Sequence, residues 1–189
     1  MRRICLLGMT LSAMQALAGE ATYVFQSEED LLTPPDPAVC AAAPFMTNAK
    51  LGASLYSVQT TRKNGRVTQH RKRIGRATAC LGLTNLTFPQ GLVQNFFVHF
   101  DLPQGAYTAS GTCTVASNNV PQTYIILAGC TLKLLTEPAG GLGGVATSSS
   151  ILNLIHRPGY STGSTWTLHE YLVDAVSSGH HDDDGDEDD

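Results

Sequence analysis

Between Leu92 and Leu135 the chain alternates with a period of two residues, and this alternation constrains the fold more than any other feature of the sequence. In Ala106 to Val115 the odd positions Tyr107, Ala109, Gly111, Cys113 and Val115 are apolar or small, while Thr108, Ser110, Thr112 and Thr114 all carry hydroxyls. Successive side chains of a strand point to opposite faces, so this is the pattern of a half-buried strand. Tyr124 to Leu134 repeats it, with Tyr124, Ile126, Ala128, Cys130, Leu132 and Leu134 on one face and Thr131 and Lys133 on the other. Upstream, Phe96, Val98, Phe100 and Leu102 alternate with Asn95, Phe97, His99 and Asp101, and Pro103-Gln104-Gly105 supplies a turn. The stretch therefore reads as three antiparallel strands with Cys113 and Cys130 both facing inward.

The flanks extend the set. Lys50 to Thr61 and Val67 to Leu83 form the arms of a long hairpin turned at Lys63-Asn64-Gly65-Arg66, where Asn-Gly suits the positive φ angles of a tight turn. Tyr23 to Gln26 reads as a short edge strand, and Ser27 to Pro44 as a loop by its prolines. After a flexible turn at Pro138 to Gly144, two strands close the set: Val145 to Leu154, interrupted by Ser148-Ser149-Ser150, and Ser164 to Val173, with Trp166, Leu168 and Leu172 on one face. Seven or eight strands joined by hairpin-length turns predict an all-β protein built as a single antiparallel up-and-down barrel, with a two-sheet sandwich as the alternative.

The N-terminus carries Arg2 and Arg3, a mostly apolar stretch from Ile4 to Leu17, and Ala16-Leu17-Ala18 at its end. This is the layout of a cleavable signal peptide, which predicts a leader over 1–18, one domain over 19–176 and a secreted or periplasmic destination. No later apolar run approaches the roughly 18 residues that a membrane-spanning helix requires, so no such segment is expected in the mature chain. Four cysteines remain beyond the leader: Cys40, Cys80, Cys113 and Cys130. An even count in an exported chain favours two disulfides, and the shared inward phase selects Cys113 with Cys130. Cys80 is out of phase with Ala77, Ala79, Leu81 and Leu83, so it faces away from the core and is left to Cys40. CxxC spacing is absent, which removes the usual zinc and thiol-redox readings.

Charge is concentrated in two blocks. Arg62, Lys63, Arg66, Arg71, Lys72, Arg73 and Arg76 are seven of the twelve Lys and Arg, and His180 to Asp189 holds seven of the sixteen Asp and Glu. The bland interpretation is a solvated hairpin tip and a disordered acidic tail over 177–189. The sharper one makes the hairpin a contact for polyanions, without the aromatic stacking residues that sequence-specific nucleic-acid recognition would use. His180, His181 and Asp182 offer weak divalent-metal ligands, but the tail lacks the ligand ladder of an EF-hand.

Catalytic signals are thin. His99 with Asp101, and His169 with Glu170, read as outward polar positions, and no GxSxG, phosphate loop, dinucleotide fingerprint or HExxH is present. No cofactor is implied. The sequence favours a secreted, disulfide-stapled, non-enzymatic binding or structural domain. The alternative is a small-ligand barrel or barrel enzyme whose pocket is lined by Phe96, Phe100, Tyr107, Tyr124 and Trp166.

Overall fold

The computed structural model describes residues 18–173. The expected leader, apart from Ala18, and the tail with His180, His181 and Asp182 lie outside the described residues. Eight strands form in chain order: β1 (Ala18–Glu29), β2 (Ala49–Lys63), β3 (Arg66–Gly82), β4 (Val93–Leu102), β5 (Gly105–Ser117), β6 (Ile126–Thr136), β7 (Gly141–Leu152) and β8 (Gly163–Val173). Each pairs antiparallel with the next, and β8 returns to β1, so one sheet closes on itself as an up-and-down barrel and the sandwich alternative falls away. Closure leaves the sheet no free outer strand.

The interior follows the alternation. Tyr107, Ala109, Cys113 and Val115 of β5 and Ile126, Ala128, Cys130, Leu132 and Leu134 of β6 are buried, while Thr112, Thr114, Thr131 and Lys133 are exposed. Apolar inside with hydroxyls outside is the reverse of the arrangement in a membrane-spanning barrel. Cys113 and Cys130 stand directly opposite each other and are bonded, with Cα atoms 4.0 Å apart.

Several local expectations are corrected. The edge strand over Tyr23 to Gln26 is a twelve-residue strand that closes the barrel, because residues 18–28 pair with residues 163–173 of β8. The loop over Ser27 to Pro44 contains the end of β1 and a short helix α1 (Pro37–Ala41), capped by the Asp36 carboxylate, which accepts from the Ala38 amide at 2.8 Å. Gly141 to Gly144 is not a free turn but the start of β7, with a register shift between Gly141 and Gly143 that Gly143 meets at φ 114°. The strand β7 also runs unbroken through Ser148 to Ser150. Tyr124 precedes β6 rather than opening it and holds φ 69° in an exposed loop.

The barrel has two unlike ends. At one lie the tight turns between β4 and β5 and between β6 and β7, together with the β2–β3 hairpin. The other gathers the four longer connections: 30–48 with α1, 83–92, 118–125 and 153–162. The helix α1 is held against the outer wall by the Cys40–Cys80 disulfide, which with Phe97 forms a small second core outside the barrel. Cys80 thus faces away from the main core and still is fully buried.

Candidate functional site

Two features stand apart from the regular wall. The first is the β2–β3 hairpin. Its strands pair from Ala49↔Leu81 through Lys63↔Arg66, but β1 meets β2 only between Gln26↔Tyr56 and Glu29↔Ala53, and β4 meets β3 only between Asp101↔Arg76 and Asn95↔Gly82. Residues 57–73 consequently pair with each other alone and project from the barrel as a two-stranded ribbon. A bulge between Leu55 and Tyr56 marks where the ribbon leaves the wall, and Asn64 (φ 51°) and Gly65 (φ 75°) form its tip with the positive angles that the sequence required.

The ribbon carries six Lys and Arg and no Asp or Glu. Cross-strand partners share a face, so Arg62, Arg71 and Arg73 belong to one face, while Lys63, Lys72 and the register position of Arg66 belong to the other. Arg71 is already engaged: its guanidinium donates to Glu28 Oε2 at 2.7 Å and lies 4.2 Å from the centre of the Tyr56 ring. Arg73 approaches the Thr33 hydroxyl at 3.5 Å.

The seventh residue of the basic cluster, Arg76, is not on the ribbon. It sits on the barrel wall and donates from Nε to Asp101 Oδ2 at 2.8 Å, a hydrogen bond that raises the guanidinium pKa further. Asp101 also meets His99 Nε2 at 3.1 Å, and His99 Nδ1 lies 3.0 Å from the Thr108 hydroxyl. Burial raises the Asp101 pKa, but the hydrogen bonds from Arg76 and His99 outweigh it and hold the carboxyl below its ordinary value of 3.8. Hydroxyl, imidazole and carboxylate are in line here. However, Thr108 lies mid-strand between β4 and β6, where backbone amides serve the ladders instead of converging on a developing oxyanion.

The second feature is a cavity of about 70 Å³ inside the barrel, on the side of the long connections. Its floor is aromatic. Phe100 packs edge-on against both Phe25 and Trp166, with ring centres 5.2 and 5.0 Å apart, and Trp166 donates from Nε1 to the Ser27 hydroxyl at 3.0 Å. Phe96, Phe100 and Trp166 line the cavity. Tyr107 and Tyr124 do not: Tyr124 is exposed at the loop end, and Tyr107 is buried toward the opposite end, beside Tyr23.

Tyr107 has another task. Its hydroxyl donates to Glu170 Oε2 at 3.0 Å, and Glu170 is only 2% exposed. Burial first, and then the Glu170 carboxylate, push the Tyr107 pKa well above 10. Glu170 is therefore not the outward residue expected beside His169. It shares the inward phase of Trp166 and Leu168, and a Cβ at Gly141 would come within 2.7 Å of its Oε1, so glycine there leaves room for the carboxylate. His169 does face outward, 3.1 Å from the Thr22 hydroxyl and 3.6 Å from Glu20.

Sequence reasoning missed most of the cavity lining, Gln94 among it. Gln94 precedes Phe96 on the inward phase of β4, is 4% exposed and lines the cavity. The phase carried the signal, but the position looked like the polar start of a strand. Among the described residues no cluster of three or more His, Cys, Asp or Glu could hold a metal, and no helix is long and apolar enough to cross a membrane. Compared with known proteins, the chain matches no family model, and neither a curated protein nor a solved structure matches it.

Proposed function

We propose that this protein is an exported, non-enzymatic binding module that uses its projecting ribbon to hold anionic polymers, with sulfated polysaccharides as the best fit. The observation carrying this reading is that residues 57–73 pair only with each other and bear six cations with no acid among them. The ribbon carries these charges on both faces, and like charges at this density attract a polyanion at long range. Tyr56 is the only aromatic residue at the ribbon's root, and Arg71 covers it, so no stacking platform for bases is offered. Two disulfides fit an oxidising compartment, in agreement with the signal-peptide pattern. A rigid closed scaffold presenting one extended element is a common layout for recognition.

Elution from an immobilised sulfated polysaccharide tests the proposal. Replacing Arg62, Lys63 and Lys72 together by serine should lower the salt needed for elution markedly, whereas Arg76→Ser, which touches only the Asp101 pair on the wall, should leave it nearly unchanged. Equal elution of the triple variant and the wild type would overturn the ribbon as the binding element.

A further inference from the structure

The interior cavity is lined mainly by apolar side chains, and several of its polar ones are hydrogen-bonded. Ser27 accepts from Trp166, and the hydroxyls of Ser150 and Ser164 are 2.7 Å apart. Gln94 Oε1 accepts from the Thr84 amide at 2.9 Å and lies 3.3 Å from the Thr84 hydroxyl. Gln94 Nε2 has no partner, and among the described residues it is the one buried side-chain polar atom left so. An unpaired buried donor costs about 1–3 kcal/mol, so an orphan of this kind in an otherwise satisfied interior calls for an explanation.

Phe88, at φ 47°, belongs both to the cavity lining and to the lining of a groove of about 410 Å³ on the loop end, and it packs there with Val115 and Ile126. Tyr124 and His156 hold positive φ angles of 69° and 48° in the neighbouring loops. Such backbone strain gathers where loops are shaped for a task. The groove is apolar, with Leu86, Tyr124, Leu154 and Ile155 exposed along it.

We infer that the barrel cavity binds a small, neutral, mainly apolar molecule bearing one carbonyl-type oxygen, which accepts from Gln94 Nε2 and enters past Phe88. The walls disfavour an anion. No Lys or Arg lines the cavity, and Glu29 is its only ionisable lining residue. A carboxylate ligand would be desolvated there without a countercharge. Phe96, Phe100 and Trp166 line the cavity, and neither Tyr107 nor Glu170 does, so the apolar part of the ligand lies against aromatic rings. This site is separate from the ribbon and stands or falls independently of polyanion binding.

The probes are acetone, 2-methylpropane and acetate, sized to a cavity of about 70 Å³. Trp166 is the only tryptophan of the chain and lies in the floor, so its emission reports occupancy directly. The wild-type protein should show a saturable response to acetone and a much weaker one to acetate at neutral pH. The carbonyl stretching band of the bound ketone should lie below its position in liquid alkane, as for a hydrogen-bonded carbonyl. Gln94→Met removes the donor at nearly constant side-chain volume, and should weaken acetone by about tenfold or more while affecting 2-methylpropane far less. Ala128→Leu, which fills the cavity, should weaken both probes alike. The inference is overturned by a folded wild-type protein whose Trp166 responds to no probe, by a bound ketone whose band stays at the alkane position, or by equal effects of Gln94→Met on ketone and alkane. The wild-type infrared measurement needs no variant, so a poorly folding substitution does not shelter the idea.

Discussion

Asp101 shows how single residues tie the outer wall together. It receives Arg76 from β3 and His99 from its own strand, and its carboxyl is held below the ordinary 3.8 by those bonds despite the opposing effect of burial. In the folded state it therefore takes up a proton less readily than in the unfolded chain. This contribution to stability is fully present above about pH 4 and is lost as the pH falls below 3.8 toward the folded value. Asp101→Asn should lower the Tm at pH 6 and lose less than the wild type between pH 4 and the acid transition; parallel melting curves at the two pH values would remove Asp101 from the acid response. Residue phase was legible to the degree that chemistry agreed with it. Cys113 and Cys130 were placed by alternation alone, and their register is direct. Glu170 obeyed the same alternation, but a carboxylate on an inward phase reads as outward until its donor, Tyr107, is known to stand 63 residues away in sequence and 3.0 Å away in space.

At the scale of elements, the meander from β4 to β6 was readable because apolar and hydroxylated residues alternate without interruption and the joining turns are short. The closing strand β1 was not. Its inward set is Tyr23, Phe25, Ser27 and Glu29, which mixes aromatic and polar residues, and its main partner, β8, lies at the far end of the chain. Long-range pairing leaves no local periodicity to find. The two disulfides act on different elements. Cys113–Cys130 joins adjacent strands across 17 residues, whereas Cys40–Cys80 spans 40 and fixes α1 with its loop to the outer wall. By loop-closure entropy they should contribute about 3 and about 4 kcal/mol respectively. Replacing Cys40 and Cys80 by serine should therefore cost more in denaturant unfolding by this term, and should expose Phe97, which packs with them. The barrel interior should stay intact in that variant, with Trp166 emission unchanged. A shift of Trp166 emission in the native variant would show that the outer staple supports the barrel core as well.

At the scale of the whole molecule, the fold keeps its features apart. The closed wall surrounds an apolar interior with a small cavity toward the loop end, and the charged ribbon leaves from the opposite end. This division was half visible in the sequence: the cation cluster and the Asn-Gly tip marked the hairpin, but nothing local showed that β1 and β4 stop pairing and let residues 57–73 stand free. Because the ribbon pairs only with itself, the barrel should not need it. Exposed ion pairs such as Arg71 with Glu28 contribute only about 0–1 kcal/mol each, so losing that one is a small matter for stability. The most direct test is to replace residues 58–71 by Asn-Gly, which preserves the Ser57↔Lys72 pair as a short hairpin. Thermal melting and elution from the immobilised sulfated polysaccharide are then measured on the same preparation. The account predicts a cooperative melt within a few degrees of the wild type together with loss of most of the retention; a folded, shortened protein that elutes at the wild-type salt concentration would contradict it.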